Sequence, residues 1–481
     1  MSQSSKATLT RQFSPRATLA ALGFKLRSLD LFGPIRQTVK IPQKTVKHSP
    51  SQKLFDAFIT LLTGAQGLVE MNTRLRSDPV VQRAFGRSSC AEQSVVQETL
   101  DRSTAENVTQ LEQAIGTILR RYGQAARHPF PQAWLLLDGD MTGMPCGPKA
   151  ACATKGYFAG YPLGVRHRRG RQLGRILATD YDEIIVDHLF PGTTQLHAAL
   201  PGLVLAAEAA LELDESKRRR TILRLDGGGG SRADVNWALW RGYAVHCKDC
   251  STQRAENLAA SVTEWVNDPR NPGRQVGWVS EPTRGYVRPV RRIAVRCPTK
   301  AGGWAVGVII SALEPRDVIV LTRQPIDRVN DPTAVLLAYV YFSDQRGGGV
   351  ETANKEDKQG LGLSKRNKKR FEAQQMVVLL SVLAHNVLVW ARSWLAPHQP
   401  RLTRYGIKRL VRDVFQISGS VRRSDTGQIV EIVLNQAAPL AAGLVTALRV
   451  LLTPEGIAVN LGEIYGLQQS VVFGDDGVRP K

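Results

Sequence analysis

Two short apolar runs, each leading into aspartate, constrain this chain more than anything else in it. Ala133 to Leu137 runs into Asp138, Gly139 and Asp140, and Thr221 to Leu225 runs into Asp226 and four glycines. Runs this short and this continuously apolar read as strands buried on both faces. An acidic residue at the end of such a strand is held rigidly, and its apolar neighbours offer it no partner. The glycines after Asp226 let backbone or ligand approach closely. The ordinary alternative is a pair of strand-ending turns. A phosphate loop of the G-x-x-x-x-G-K-[ST] kind is excluded by pattern.

Around these runs the chain reads as an α/β protein. Gly156 to Val165, Gly174 to Ala178 and Glu183 to Phe190 are further predicted strands, residues 195–213 and 231–241 helices, and Tyr243 to Cys247 a strand. Three strands, a helix, then strand and helix is the order of an RNase H-like sheet. At 481 residues the chain is long enough for two or three domains. Residues 1–50 read as a basic, largely irregular arm. Residues 51–130 read as a helical domain, with Leu54, Phe55, Phe58, Leu61 and Leu62 at helical spacing. Residues 131–249 form the first part of the core. Val287 to Val295, Gly303 to Ile310 and Val318 to Leu321 are short β-like runs that make 250–340 a β-rich insertion. The core resumes over 341–395, with a helix beginning at Glu351. Residues 396–481 read as a mainly helical C-terminal region with one strand after Gln428 and an apolar helix from Ala437 to Leu452.

The charge balance narrows the partner. Lys and Arg total 64 against 42 acidic residues, a net charge of +22. A surplus of that size points to a polyanion, because each neutralised phosphate releases condensed counterions. Three clusters stand out: Arg166 to Arg171, Lys217 to Arg220, and Lys365 to Arg370. One such run is ordinarily a solvated face; three, with a basic N-terminus, point to nucleic acid. Cys247 and Cys250 form a C-x-x-C, but no second pair completes a tetrahedral zinc site. Met376 to Trp390 is apolar but short for a bilayer span and carries His385 and Asn386, so a buried core helix is expected and no membrane partner.

A third segment joins the two aspartate strands. Glu351 and Lys358 are seven residues apart, two helical turns, and so share a helix face. There a carboxylate can hold metal while the ammonium meets a phosphate; a solvent-exposed helix of alternating charge accounts for the same residues. Phosphodiester transfer uses two metal ions roughly 3.5–4 Å apart, and magnesium takes oxygen ligands. The order Asp140, Asp226, Glu351 resembles the catalytic triad of Asp-Asp-Glu transposases of bacterial insertion sequences, in particular the group with a Tyr-Arg-Glu-Lys signature. Asp140-x-Thr142, Arg224-x-Asp226-Gly and Glu351-x6-Lys358 carry the likeness. Tyr341 and Arg346 stand where the signature has Tyr and Arg, each at wider spacing, with Gly347–Gly349 inserted before Glu351. Asp138 competes with Asp140, and Glu356 with Glu351; Thr142 favours Asp140, and Lys358 favours Glu351. The likeness spans about 52–395 and includes the helix with Phe371-Glu-Ala-Gln-Gln, Ala384-His-Asn386 and Trp390.

The resemblance implies a DNA transposase. Two Mg²⁺ (or Mn²⁺) ions would be held by Asp140, Asp226 and Glu351, with Arg346, Lys358 and Tyr341 at DNA phosphates. It further implies helices of 51–130 that bind terminal inverted repeats of double-stranded DNA, Ala91 to Thr104 being a candidate recognition segment. Strand transfer to target DNA, at least a homodimer on DNA, and a cytoplasmic, nucleoid-associated location follow. In relatives with such an insertion an aromatic residue stacks on a flipped base as a hairpin forms. Trp278 and Trp304 are the candidates here, core packing being the ordinary role of tryptophan. Three other readings share these residues: another RNase H-like endonuclease, a non-catalytic transposase-derived DNA-binding protein, and a basic structural protein.

Overall fold

The computed structural model describes residues 10–45, 47–156, 158, 168–365, 367–424 and 428–463. The chain divides into two compact units, residues 119–355 and residues 1–118 with 356–481. The protein is mixed α/β.

The first unit is built on one mixed sheet. Its strands are β1 (Leu135–Pro145), β2 (Arg169–Ala178), β3 (Glu183–Pro191), β4 (Thr221–Leu225), β5 (Ala244–Lys248), β6 (Gln275–Trp278), β7 (Arg291–Pro298) and β8 (Trp304–Ser311). The spatial order is β3-β2-β1-β4-β5-β8-β7-β6, with two-residue strands at Thr154–Lys155 and Val266–Asn267. β1 runs antiparallel to β2 and parallel to β4, with Leu137 opposite Leu223 and Asp138 opposite Arg224. β4 and β5 are also parallel. Leu135, Leu136 and Leu137 are all buried, as are Ile222 and Leu223, because helices cover both faces of these central strands.

The strands in 250–340 do not stand apart from this sheet: β8 pairs with β5 through Ser311 opposite His246. The expected strand at Val318 to Leu321 is instead part of a helix. The helices are α1 (Leu196–Leu211), α2 (Arg232–Trp240), α3 (Thr252–Ala259), α4 (Pro315–Leu321), α5 (Pro332–Gly348) and α6 (Val350–Gly360). Pro315 at the first helical position and Asp317 in the first turn start α4. Asp331 caps α5 by accepting from the amides of Thr333 and Ala334. Val318, Ile319, Val335, Leu336 and Phe342 pack with Leu136, Ile222, Ile293 and Ile309 in one core cluster. Ala294 and Val308, the alternate positions on β7 and β8, pack with Leu258 of α3. The predicted strand Gly156 to Val165 lies mostly outside the described residues.

In the second unit, the irregular arm expected over 1–50 is corrected by a strand, Thr10–Ser14, and helices Ala17–Ser28 and Gly33–Thr38. Arg16, Lys25 and Arg27 mask an apolar run in which Leu19, Ala20, Leu22 and Leu26 are buried. The C-terminal region holds, among its described residues, three strands where one was expected. Thr10–Ser14 pairs with Gly419–Arg423, which pairs with Ile429–Asn435, which runs parallel to Ala458–Gly462; helix Ala441–Leu452 completes the region. Gly419, Ser420 and Val421 are buried but too small to give an alternating signal. Phe371–Leu395 is long and apolar enough to cross a membrane, yet Met376 to Ala391 are all buried in the unit's core. His385 Nδ1 lies 2.7 Å from Asp357 Oδ1, both buried.

Leu223, fully buried on central β4, tests the close packing of the first unit. Leu223→Ala should lower the unfolding free energy by about 2–5 kcal/mol, read by urea titration. A loss below about 1 kcal/mol would contradict a packed centre there.

Candidate active site

β1 carries two aspartates on one face, and their surroundings separate them. Asp138 is fully buried and accepts two bonds from Arg224, Nε to Oδ1 at 2.6 Å and Nη2 to Oδ2 at 2.8 Å. Arg224 also donates to the carbonyl of Phe342 at 3.1 Å and lies over its ring. Asp138 is therefore spent on the sheet. Asp140 remains at the edge of the core, 9% exposed.

Asp140 Oδ1 accepts from Arg346 Nη2 at 3.0 Å, and Oδ2 from Asn354 Nδ2 at 2.9 Å. Arg346 reaches on to the Gly139 carbonyl at 2.8 Å and, through Nη1, to Glu351 Oε1 at 3.1 Å. Burial raises the Asp140 carboxyl above the ordinary range; Arg346 opposes this, while Asp226 and Glu351 add to it. Carboxylates from the end of β4 and from α6 thus bear on the one from β1. Asp226 accepts from the Gly228 amide at 2.9 Å, so its own turn fixes its aim. Glu351 is exposed apart from its contact with Arg346. Gly349, between α5 and α6, admits no side chain, because a Cβ there would lie 2.7 Å from Asp138 Oδ2.

Other residues are placed differently. Glu356 accepts from the Lys408 amide at 2.8 Å, which commits it elsewhere and leaves Glu351. Lys358 is half-buried on the helix that carries Glu351. Tyr341 is corrected as a phosphate contact: its hydroxyl donates to Asp268 at 2.9 Å, and Arg270 covers its ring at 3.8 Å. Burial, with Asp268 beside it, pushes that hydroxyl up to about 12. Trp278 packs edge-on against Tyr339 within the core, whereas Trp304 is 45% exposed with Arg296 over its ring.

Asn354 was not legible as a site residue. It is buried, its Nδ2 holds Asp140, and its Oδ1 has no hydrogen-bond partner. The signal was the Glu351-x-x-Asn354 spacing, one helical turn, which puts both on one face.

The donor set is all oxygen, which suits Mg²⁺ or Mn²⁺, and the mutual repulsion at Asp140 is the condition a cation relieves. Among the described residues no three His, Cys, Asp or Glu side chains stand close enough to enclose an ion. Asp140 and Glu351 meet at the Arg346 guanidinium instead.

The basic runs are largely consumed by the fold. Arg171 is buried and donates to Ala151 O, Arg219 pairs with Glu215, and Arg220 donates to Phe130 O. Lys368 bonds Gln97 Oε1, and Arg370 bonds the Asp101 carbonyl. Arg166, His167 and Arg366 lie outside the described residues. Cys247 is buried and Cys250 exposed, both as free thiols.

Because the folded Asp140 carboxyl has a raised pKa, the native state binds its proton more readily than the unfolded chain. Its contribution to stability is then lost as the pH rises through that folded pKa. Asp140→Asn, which does not titrate, should flatten the stability profile above the ordinary aspartate pKa of about 4. Denaturant unfolding of both proteins across that range reads the difference; parallel profiles would refute the raised pKa.

No family model matches the chain, and no curated protein matches it. Among solved structures, it is similar to a piggyBac transposase in a synaptic complex with hairpin DNA, at 13% identity and a TM-score of 0.44, over 90% of this chain and 81% of that one.

Proposed function

We propose that this chain is a DNA transposase whose Asp140, Asp226 and Glu351 catalyse metal-dependent cleavage and strand transfer on an RNase H-like sheet. The observation that carries the reading is the placement of the carboxylates: Arg346 bonds both Asp140 and Glu351, and Asp226 follows the strand paired with the one that carries Asp140. The strand order supports it: three antiparallel strands, then two parallel ones, with Asp140 and Asp226 on neighbouring strands. Mg²⁺ or Mn²⁺, two ions per site, would supply activation of the attacking oxygen and stabilisation of the leaving one.

The chain's own groups do the positioning. Asn354 and Arg346 fix both oxygens of Asp140, and the Gly228 amide fixes Asp226. Arg346 offsets the clustered negative charge and, with Lys358, supplies donors of the kind that grip phosphate. The net charge of +22 suits double-stranded DNA, both terminal inverted repeats and target. We read the working form as at least a homodimer on DNA, in the bacterial cytoplasm near the nucleoid.

A second reading has its own support. Arg346 already bridges Asp140 and Glu351, an arrangement that a non-catalytic DNA-binding descendant would also retain. The two differ in one assay: cleavage of a labelled duplex carrying the element's terminal repeat, with Mg²⁺, Mn²⁺ or EDTA. Metal-dependent cutting at the repeat boundary is the expected result; binding without cutting under both metals favours the descendant. Asp226→Asn should reduce cutting by about 100-fold or more, since a ligand worth several kcal/mol in the transition state is lost, with duplex affinity nearly unchanged. Undiminished cutting would remove Asp226 from the site.

A further inference from the structure

The second unit contains a cavity of about 810 Å³ whose lining includes four arginines: Arg27, Arg83, Arg87 and Arg423. They come from helix Ala17–Ser28, from helix Pro79–Ala84 and the turn after it, and from strand Gly419–Arg423. None belongs to the three basic clusters evident in the sequence, though Arg27 lies in the basic N-terminal stretch. Arg87 is neutralised by a bidentate bond to Asp56, at 2.7 and 3.1 Å. Arg83 donates to the neutral side chain of Gln12 and keeps its charge. Arg27 and Arg423 have no side-chain hydrogen bond or ion pair among the described residues. The one acidic side chain among the lining residues, Glu455, is engaged through Oε1 by Lys25 at 3.3 Å and Ser28 at 2.6 Å, while its Oε2 is buried without a hydrogen-bond partner. Burial and the nearby Arg83 charge both lower the pKa of Arg423.

Arg27, Arg83 and Arg423 bring three guanidinium groups to a concave wall that holds one carboxylate, so donors are left for an anion. Guanidinium groups at the wall favour phosphate, which accepts paired N–H donors. Phe24, Ile429 and Ile457 contribute apolar surface beside them. The cavity far exceeds the size of a bare phosphate, so it suits a phosphate carried on a larger body. We propose that this arginine-lined cavity is a phosphate-binding site that takes the sugar–phosphate backbone of nucleic acid, separate from the carboxylate group of the first unit.

The test uses the full chain and the double variant Arg27→Ala/Arg423→Ala, which removes two side chains with no described bonding partner. A labelled 20-base-pair duplex is titrated by anisotropy at several salt concentrations, and pyrophosphate is added as a thermal-shift probe. The variant should bind the duplex about tenfold or more weakly, and its log–log salt slope should fall by about 2, one for each lost phosphate contact. Wild-type affinity and slope in the variant, with no arginine-dependent pyrophosphate stabilisation, would overturn the site. Pyrophosphate stabilisation that needs the two arginines, in a wild type that binds no duplex, would keep the phosphate site and overturn the backbone as its ligand. Arg27→Lys/Arg423→Lys, which keeps both charges, should restore most of the salt slope. Failure of Asp226→Asn to affect cutting would bear on the carboxylates alone.

Discussion

The bidentate pair between Asp138 and Arg224 is the interaction on which the candidate site depends. It joins β1 to β4, and through the Phe342 carbonyl it also reaches α5. Each of its three anchors lies a few residues ahead of a site group: Asp138 before Asp140, Arg224 before Asp226, Phe342 before Arg346. A shift of any one strand or helix would break the pair before it displaced a carboxylate. A buried ion pair adds little net stability, but removing one partner typically costs about 3–5 kcal/mol. Such a pair therefore specifies register more than it contributes stability, and register is what the carboxylates need.

The same logic extends outward. Arg175 faces Asp140 across β1 and β2, yet it pairs sideways with Asp187 on β3 at 2.8 and 2.7 Å. Asp140 is left to Arg346 and Asn354, both on the segment that carries Glu351. Its charge is thus balanced from the third element rather than from its own sheet. The glycine at 349 lets α6 begin close to Asp138, which brings Glu351 within reach of Arg346.

The aspartate strands were legible because a buried strand writes itself as a continuous apolar run, whatever its partners. The helix that carries Glu351 was legible through the spacing to Lys358. Only Thr142 favoured Asp140 over Asp138 in sequence; what physically distinguishes them is Arg224, on a strand that follows 86 positions later. Tyr341 was misjudged for the same reason: its partner, Asp268, lies 73 positions upstream. The N-terminal strand was invisible because Thr10 pairs with Arg423 from the far end of the chain. Helix α5 was different, since Asp331-Pro332 is a local start signal; its apolar run was short of polar positions and so showed little helical periodicity.

Charge was the feature that sequence reported most loudly and located least well. An arginine that donates to a carbonyl, as Arg220 does to Phe130, keeps its full charge but loses the donors a phosphate would take. Such residues still contribute to the long-range field that draws a polyanion to the surface, though not to the contact that holds it. Short-range recognition falls to guanidinium groups with donors left over. Those at Arg27 and Arg423 are separated by most of the chain and meet only in the folded unit. A run of basic residues in sequence therefore measures attraction, whereas binding depends on which donors the fold has not already used.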